Sequence, residues 1–301
     1  MDFRKVGKHS LSLQEKGEFT SNKTNKGCIA TFRNQNKGGS PMEHNTISDM
    51  ILSNEMVLYG QPKWTFGKNT CNTYEMFVSY FRRKDGQLLP AWPILEIVER
   101  DDALTMLFSI ALLWEAARRT VEISDRANSN LTLSLNLLPR FAESDNFVDQ
   151  VKACLAETGL DPKRLQFEIS DLQELNETGC RNLNLLRDEL GIMLVMGNFG
   201  TQHTNMPLLY RVKFNMLELD KSYAALIPGD EAACKAAIAI QHMADTLDIT
   251  LCAKGIENQD QFEFFEEIGA FKGQGSLIGN PMPLDELENY IKQYALEKGH
   301  K

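Results

Sequence analysis

The chain has 301 residues, a net charge of −9 and 43% hydrophobic residues. This apolar content excludes an intrinsically disordered chain, and the negative charge argues against direct nucleic-acid binding, which needs excess Lys and Arg to neutralise phosphates. The length fits either two domains of about 150 residues or one α/β barrel of about 250 residues.

The charge is unevenly distributed along the sequence. Residues 1–45 carry eight Lys and Arg against four Asp and Glu, and few large apolar side chains. We therefore predict a flexible, basic, disordered leader over residues 1–45 and a globular domain over residues 46–301. An inert extension is the favoured interpretation of the leader. The alternatives are a translation start at Met42 and a tail that contacts a partner.

Cysteine usage and hydropathy predict a cytoplasmic protein. The six cysteines form no CxxC pair, so we expect reduced thiols rather than disulfides or a zinc site. The N-terminus has no apolar signal segment. The longest apolar stretch, Ala103–Trp114, is too short to span a bilayer, so no membrane association is expected.

From Ile47 onward, short apolar runs that favour β-structure alternate with helical patterns. The predicted strands are Met56–Pro62, Tyr74–Phe81, Leu131–Leu137, Arg164–Ser170, Ile192–Phe199, Phe214–Asp220, Ile249–Ile256 and Ala270–Gly275. The predicted helices are Asp101–Ser124, Asn146–Thr158, Cys180–Leu190, Asp230–Leu247, Gln259–Ile268 and Leu284–Tyr294. Eight largely apolar strands alternating with helices predict an α/β fold, a (β/α)8 TIM-like barrel.

Polar side chains recur where the predicted strands end. They are Glu75, Asn136, Glu168, Asn198, Glu218, Asp220, Lys254, Glu257 and Gln274. Because the carboxyl ends of parallel barrel strands meet on one face, this pattern predicts a working or vestigial site there.

Several short motifs resemble the EAL-domain family, the cyclic di-GMP phosphodiesterases of bacteria, over residues 50–295. Asn198–Thr201 (NFGT) is similar to the family's DDFGTG, and Leu217–Asp220 (LELD) is similar to LKID. Ala253–Glu257 (AKGIE) resembles AEGVE, and Gln274–Pro283 resembles QGYLFSKPLP. The name motif matches weakly, because Glu75–Phe77 reads EMF. The order and spacing of these motifs carry the resemblance.

The resemblance implies a site for two magnesium or manganese ions that activate water for phosphodiester hydrolysis. It places metal ligands at Glu75, Asn136, Glu168 and Asn198, and catalytic positions at Glu218, Lys254 and Gln274. It places weak contacts to substrate at Gln61, Ser79, Asp220 and Glu257.

The chain departs from the family at most of the decisive positions. Gly197 and Asn198 match the paired aspartates, Glu218 matches the lysine of LKID, and Lys254 matches the glutamate of AEGVE. Ser79 replaces the arginine that holds the nucleotide. Since an ammonium repels a dication, we predict a vestigial site that binds no metal cofactor and has no hydrolytic activity.

Glu218 and Lys254 exchange the family's lysine and glutamate on neighbouring strands. We therefore predict a direct ion pair that replaces the metal charge, with independent drift to solvated side chains as the alternative.

The resemblance and these departures together predict an inactive EAL-like regulatory protein that acts through protein–protein interaction. A transcriptional regulator is the partner type that such relatives suggest, in motility or biofilm control, and a homodimer is compatible with the family. A non-hydrolysing cyclic di-GMP receptor is the alternative, although we expect little nucleotide binding. An active phosphodiesterase is the second alternative.

Overall fold

A computed structural model describes residues 44–170, 174–201 and 205–297 of the chain. Residues 1–43, most of the predicted leader, lie outside the described residues, so its predicted disorder stays a prediction. The first described helix, α1 (His44–Leu52), begins two residues before the predicted domain boundary.

Eight strands close into a barrel, which confirms the predicted α/β barrel fold. They are β1 (Met56–Thr65), β2 (Thr70–Arg82), β4 (Thr132–Asn136), β5 (Leu165–Ser170), β6 (Met193–Phe199), β7 (Met216–Leu219), β8 (Thr250–Lys254) and β9 (Lys272–Gln274). Strand β1 runs antiparallel to both of its barrel neighbours, β2 and β9, whereas β2 and β4 to β9 pair in parallel. Two short strands, β3 (Leu88–Pro90) and β10 (Met282–Pro283), extend the sheet beyond the barrel.

Helices follow most of the parallel strands. They are α2 (Ala91–Val98), α3 (Asp102–Ala127), α4 (Pro139–Ala142), α5 (Phe147–Thr158), α6 (Glu177–Leu190), α7 (Met206–Arg211), α8 (Lys221–Ala224), α9 (Glu231–Thr246), α10 (Gln259–Glu267) and α11 (Leu284–Glu297). All six predicted helices are present, and the short helices α1, α2, α4, α7 and α8 were not predicted. Short helices carry too few periodic positions to be recognised from a sequence.

The helix boundaries follow from capping residues that the sequence displays. The Asp101 side chain accepts a hydrogen bond from the Leu104 backbone N–H, which starts α3. Gly159 and Gly191 adopt left-handed backbone conformations that end α5 and α6. Helix α6 begins at Glu177 rather than Cys180, because the Asn176 side chain caps its first turn.

Two apolar regions surround the strands. The main core lies between the barrel and its helices and includes Trp64, Phe81 and Leu133. A smaller cluster of Val195, Met216 and Cys252 is separate from it. The five cysteines among the described residues are free thiols, as predicted. Within the described ranges no helix is long and apolar enough to cross a membrane.

Candidate functional site at the barrel mouth

Six of the predicted site residues meet at the carboxyl ends of the barrel strands. We call this end of the barrel, with these six side chains, the mouth. Glu75 lies on β2, Asn136 ends β4, Glu168 lies on β5, Glu218 lies on β7, Lys254 ends β8 and Gln274 ends β9. Strand register places Asn136 opposite Glu168 and Lys254 opposite Gln274. Barrel closure therefore gathers side chains that are up to 199 residues apart in the sequence.

Lys254 lies at the centre of this group. Its Nζ is 2.8 Å from Oε2 of Glu218 and 3.2 Å from Oε2 of both Glu168 and Glu75. The Glu218–Lys254 ion pair predicted from the exchanged residues is therefore present. The sequence did not predict that the same ammonium also contacts the other two carboxylates.

A second lysine of the site is more deeply buried than Lys254. Lys63 on β1 is fully buried, and its Nζ lies 2.5 Å from Oε1 of Glu168 and 2.5 Å from Oε1 of Glu218. The Ser134 hydroxyl donates to the same oxygen of Glu168 at 2.5 Å. Lys63 lies just beyond the predicted first strand, which ends at Pro62, whereas β1 continues to Thr65, so Lys63 was not among the predicted site residues.

The carboxylate of Glu75 also accepts hydrogen bonds from two side-chain amides. Asn136 Nδ2 donates to Oε1 of Glu75 at 2.7 Å, and Gln274 Nε2 donates to Oε2 at 3.1 Å. Each of the six carboxylate oxygens of Glu75, Glu168 and Glu218 therefore has a donor or an ammonium of the chain within 3.2 Å. The group is a closed network of charges and hydrogen bonds.

The network moves the pKa values of its members in opposite directions. Burial lowers the pKa of the Lys254 ammonium, but Glu168, Glu218 and Glu75 raise it well above its ordinary value. Burial raises the pKa of the Glu168 carboxyl, but Lys254 and Lys63 lower it below its ordinary range. The pKa of Glu218 is raised by burial and by the Glu168 charge, because the two lysines are shared with the other carboxylates.

Gly275 allows the chain after β9 to reach this site. A Cβ at position 275 would lie 2.1 Å from the backbone oxygen of Ile256, which no side chain permits. The Ile256 N–H donates to the carbonyl oxygen of Gln274 at 3.0 Å. This close approach fixes Gln274 beside the end of β8.

The other five predicted site residues lie outside the network. Gln61 Nε2 donates to the Gly279 carbonyl at 3.1 Å, and Asn198 Nδ2 donates to the Ser170 hydroxyl at 3.4 Å. The Asp220 side chain accepts from the Ser222 N–H and caps α8. Glu257 is exposed to solvent, and Ser79 is half-buried on β2.

These residues do not fit a pair of divalent cations. Magnesium and manganese need several free oxygen ligands, and every carboxylate oxygen in the network already contacts an internal donor. Gly197 has no side chain, and Asn198 offers only one neutral oxygen. Over the described ranges, no group of three or more His, Cys, Asp or Glu side chains could hold a metal ion.

Lys254→Met is expected to lower the free energy of unfolding by about 2–3 kcal/mol at pH 7. The substitution leaves three carboxylates without their shared cation, and only 14% of the Lys254 side chain is exposed to water. Urea unfolding followed by circular dichroism measures the change.

Lys235→Met is the matched control, since Lys235 forms an ion pair with Glu231 on the exposed face of α9. We expect a change below about 0.5 kcal/mol, because exposed pairs contribute little. An equally small change for Lys254→Met would show that its ion pairs do not stabilise the fold.

The comparisons with known proteins agree with this fold. The family model of the EAL domain matches residues 44–281. An uncharacterised protein, y4lL, of Sinorhizobium fredii is 28% identical over 249 residues, which cover 82% of this chain and 29% of that protein. The cyclic di-GMP phosphodiesterase NbdA of Pseudomonas aeruginosa is 28% identical over 254 residues, which cover 83% of this chain and 32% of NbdA. The chain thus spans about a third of the length of these relatives.

Solved structures show the same fold. The EAL enzyme Bd1971, solved with cAMP and cyclic di-GMP bound, has a TM-score of 0.74 at 22% identity over 82% of this chain and 67% of that chain. The PaMucR phosphodiesterase, solved in complex with c-di-GMP, has a TM-score of 0.70 at 22% identity over 81% of this chain and 98% of that chain. Because the EAL model matches most of its length, this chain belongs to the EAL domain family.

Proposed function

We propose that this EAL domain is a non-hydrolysing regulatory module that acts by binding another protein. The observation that carries the proposal is the position of Lys254, whose ammonium lies among the three carboxylates of the mouth. The two-metal chemistry of a phosphodiesterase needs cations that generate hydroxide and stabilise the phosphoryl oxygens. An ammonium held by three carboxylates supplies neither a metal-bound water nor an open coordination position.

The intact fold supports a role that is not catalytic. The barrel closes, its core is buried, and two of the substituted residues, Glu218 and Lys254, form an ion pair with each other. A chain that keeps this architecture while lysines engage its carboxylates retains a stable surface for recognition. We propose a protein partner, with a transcriptional regulator as the first type to examine, and a cytoplasmic location.

Hydrolysis is the direct test of this proposal. Purified protein incubated with cyclic di-GMP and Mn²⁺ is expected to yield no linear dinucleotide above a blank without protein, measured by liquid chromatography. An active phosphodiesterase of the family, assayed in parallel, controls for substrate and metal. Metal-dependent formation of linear product by this chain would contradict the proposal and favour an active phosphodiesterase.

Affinity capture of the tagged protein from its native host, followed by mass spectrometry, tests the partner. The control is a variant of the same chain that carries substitutions in exposed side chains. We expect a reproducible protein that the wild-type chain retains and that at least one surface variant loses. Failure to retain any protein reproducibly would contradict a role in protein binding.

A cyclic di-GMP receptor is the second candidate, because Glu75, Asn136, Glu168 and Gln274, which match family residues, still meet at the mouth. Against it, Glu75, Glu168 and Glu218 gather three carboxylates at this end of the barrel, and Ser79 brings no positive charge. Calorimetric titration with cyclic di-GMP, with and without Mg²⁺, separates the candidates. A dissociation constant weaker than about 1 mM is too weak for a signal receptor.

A further inference from the structure

Lys63 and Lys254 contact opposite oxygens of the same two carboxylates. Lys63 contacts Oε1 of Glu168 and Glu218, and Lys254 contacts Oε2 of both. The four side chains therefore form a ring in which each carboxylate bridges two positive charges. Bridging carboxylates serve the same purpose between paired metal ions, where they hold two cations close together.

We propose that Lys63 and Lys254 are an internal substitute for two divalent cations and that Lys63 keeps the carboxylates closed to metal. This inference deepens the proposed lack of hydrolysis, on which it rests. It assigns a role to Lys63, a residue outside every motif that carries the family resemblance.

The charges of the mouth are consistent with this substitution. The two ammonium groups bring two positive charges, and Glu75, Glu168 and Glu218 can bring three negative charges. Gly197 and Asn198, where the family motif has paired aspartates, add no charge. A mouth held by two ammonium groups needs fewer carboxylates than one that neutralises two dications.

Burial makes Lys63 the more important of the two lysines for excluding a metal ion. Its side chain is fully buried, whereas 14% of Lys254 is exposed at the mouth. Removing Lys254 alone frees one oxygen of each glutamate from the ammonium but leaves Lys63 on Glu168 and Glu218. The remaining ammonium occupies two oxygens and repels an incoming dication. Metal binding should therefore need both substitutions.

The test uses Mn²⁺ as the probe. Free Mn²⁺ is measured by electron paramagnetic resonance, and the Tm of the full chain is measured in MnCl2 and in EDTA. The variants are Lys254→Gln, Lys63→Met and the double variant Lys63→Met/Lys254→Gln. We expect the double variant to bind Mn²⁺ at least tenfold more tightly than the wild type, with a Tm that rises in MnCl2.

Lys272→Met is the matched control, because Lys272 is a third buried lysine of the barrel that donates to Thr73 and makes no contact within the ring. It should bind Mn²⁺ no better than the wild type. The proposal is overturned if the folded double variant binds Mn²⁺ no better than the wild type. It is equally overturned if Lys254→Gln alone binds as tightly as the double variant.

A triple variant keeps the test decisive if three unpaired carboxylates prevent folding. Lys63→Met/Lys254→Gln/Glu218→Gln removes one carboxylate together with the two lysines. We expect it to bind Mn²⁺ more tightly than the wild type through Glu75 and Glu168, and a folded triple variant without this gain overturns the proposal. These results are distinct from hydrolysis by the wild type, which would contradict the proposed function.

Discussion

Lys63→Met is expected to lower the free energy of unfolding by about 3–5 kcal/mol at pH 7, because it removes the fully buried one of the two cations that Glu168 and Glu218 share. Burial lowers the pKa of the Lys63 ammonium, but Glu168 and Glu218 raise it above its ordinary value, so the lysine is charged at neutral pH. Methionine keeps the unbranched side chain as far as Cε and provides no donor for Glu168 or Glu218. Urea unfolding of both proteins at pH 7 measures the difference.

A second substitution separates loss of the ion pairs from loss of packing. Lys63→Met/Glu218→Gln removes one of the stranded charges, so it should be less destabilised than the sum of its single substitutions by about 1–3 kcal/mol. Lys152→Met, which breaks the exposed pair with Glu189, should change stability by less than about 0.5 kcal/mol. Strict additivity of the first pair would argue that Lys63 acts through its volume alone.

Lys272→Met is expected to change stability in the opposite direction. Burial, and then the charge of Lys63, lower the pKa of the Lys272 ammonium from 10.5 to about 8. Its Nζ donates to the Thr73 hydroxyl, and no ion pair of Lys272 with a carboxylate occurs within residues 44–170, 174–201 and 205–297. Folding therefore buries an incompletely compensated charge at neutral pH.

The lowered pKa of Lys272 determines how the free energy of unfolding changes with pH. Between about pH 8 and pH 10.5 the unfolded chain holds the Lys272 proton more firmly than the folded chain, so stability rises with pH across this window. Below about pH 8 both states are protonated and the penalty is complete. The fall in pKa corresponds to about 3 kcal/mol, so Lys272→Met should stabilise the protein by up to about that amount at pH 7.

Unfolding curves of the wild type and of Lys272→Met at pH 7 and pH 10 measure this effect. The advantage of the variant should shrink markedly at the higher pH. An advantage that is equal at both values would assign the effect to packing, and a loss of stability at pH 7 would show that the Thr73 hydrogen bond outweighs the burial of charge.

The barrel could be predicted from the sequence because its parallel strands are short apolar segments with recognisable boundaries. Arg164–Ser170 and Ile192–Phe199 are short, apolar and bounded by helix signals, so their strands were placed within a residue of their observed limits. The sequence also predicted the Glu218–Lys254 pair, since the two residues exchange charges on strands that follow one another. The barrel was predicted from the alternation of strands and helices along the chain, and the ion pair was predicted from the family motifs at two successive strands.

The rest of the site depends on barrel closure. Nothing in the sequence near Lys63 indicates that its ammonium will meet Glu168 and Glu218, which are 105 and 155 residues away. Local patterns also favoured ending the first strand at Pro62, although proline is compatible with a strand where its missing N–H is not needed. The buried partner of a charged strand residue is therefore a tertiary property.

These long separations have a consequence for the order of folding. Strand β1 is the first strand of the barrel in the sequence, yet it carries one of the two cations that contact the carboxylates of β5 and β7. An intermediate that assembles the parallel strands before β1 docks has Lys254 as the cation for Glu168 and Glu218, so excluding water at that stage would leave Oε1 of Glu218 without its ammonium. We therefore expect water to leave the barrel interior when β1 inserts, and this non-local step favours slow folding.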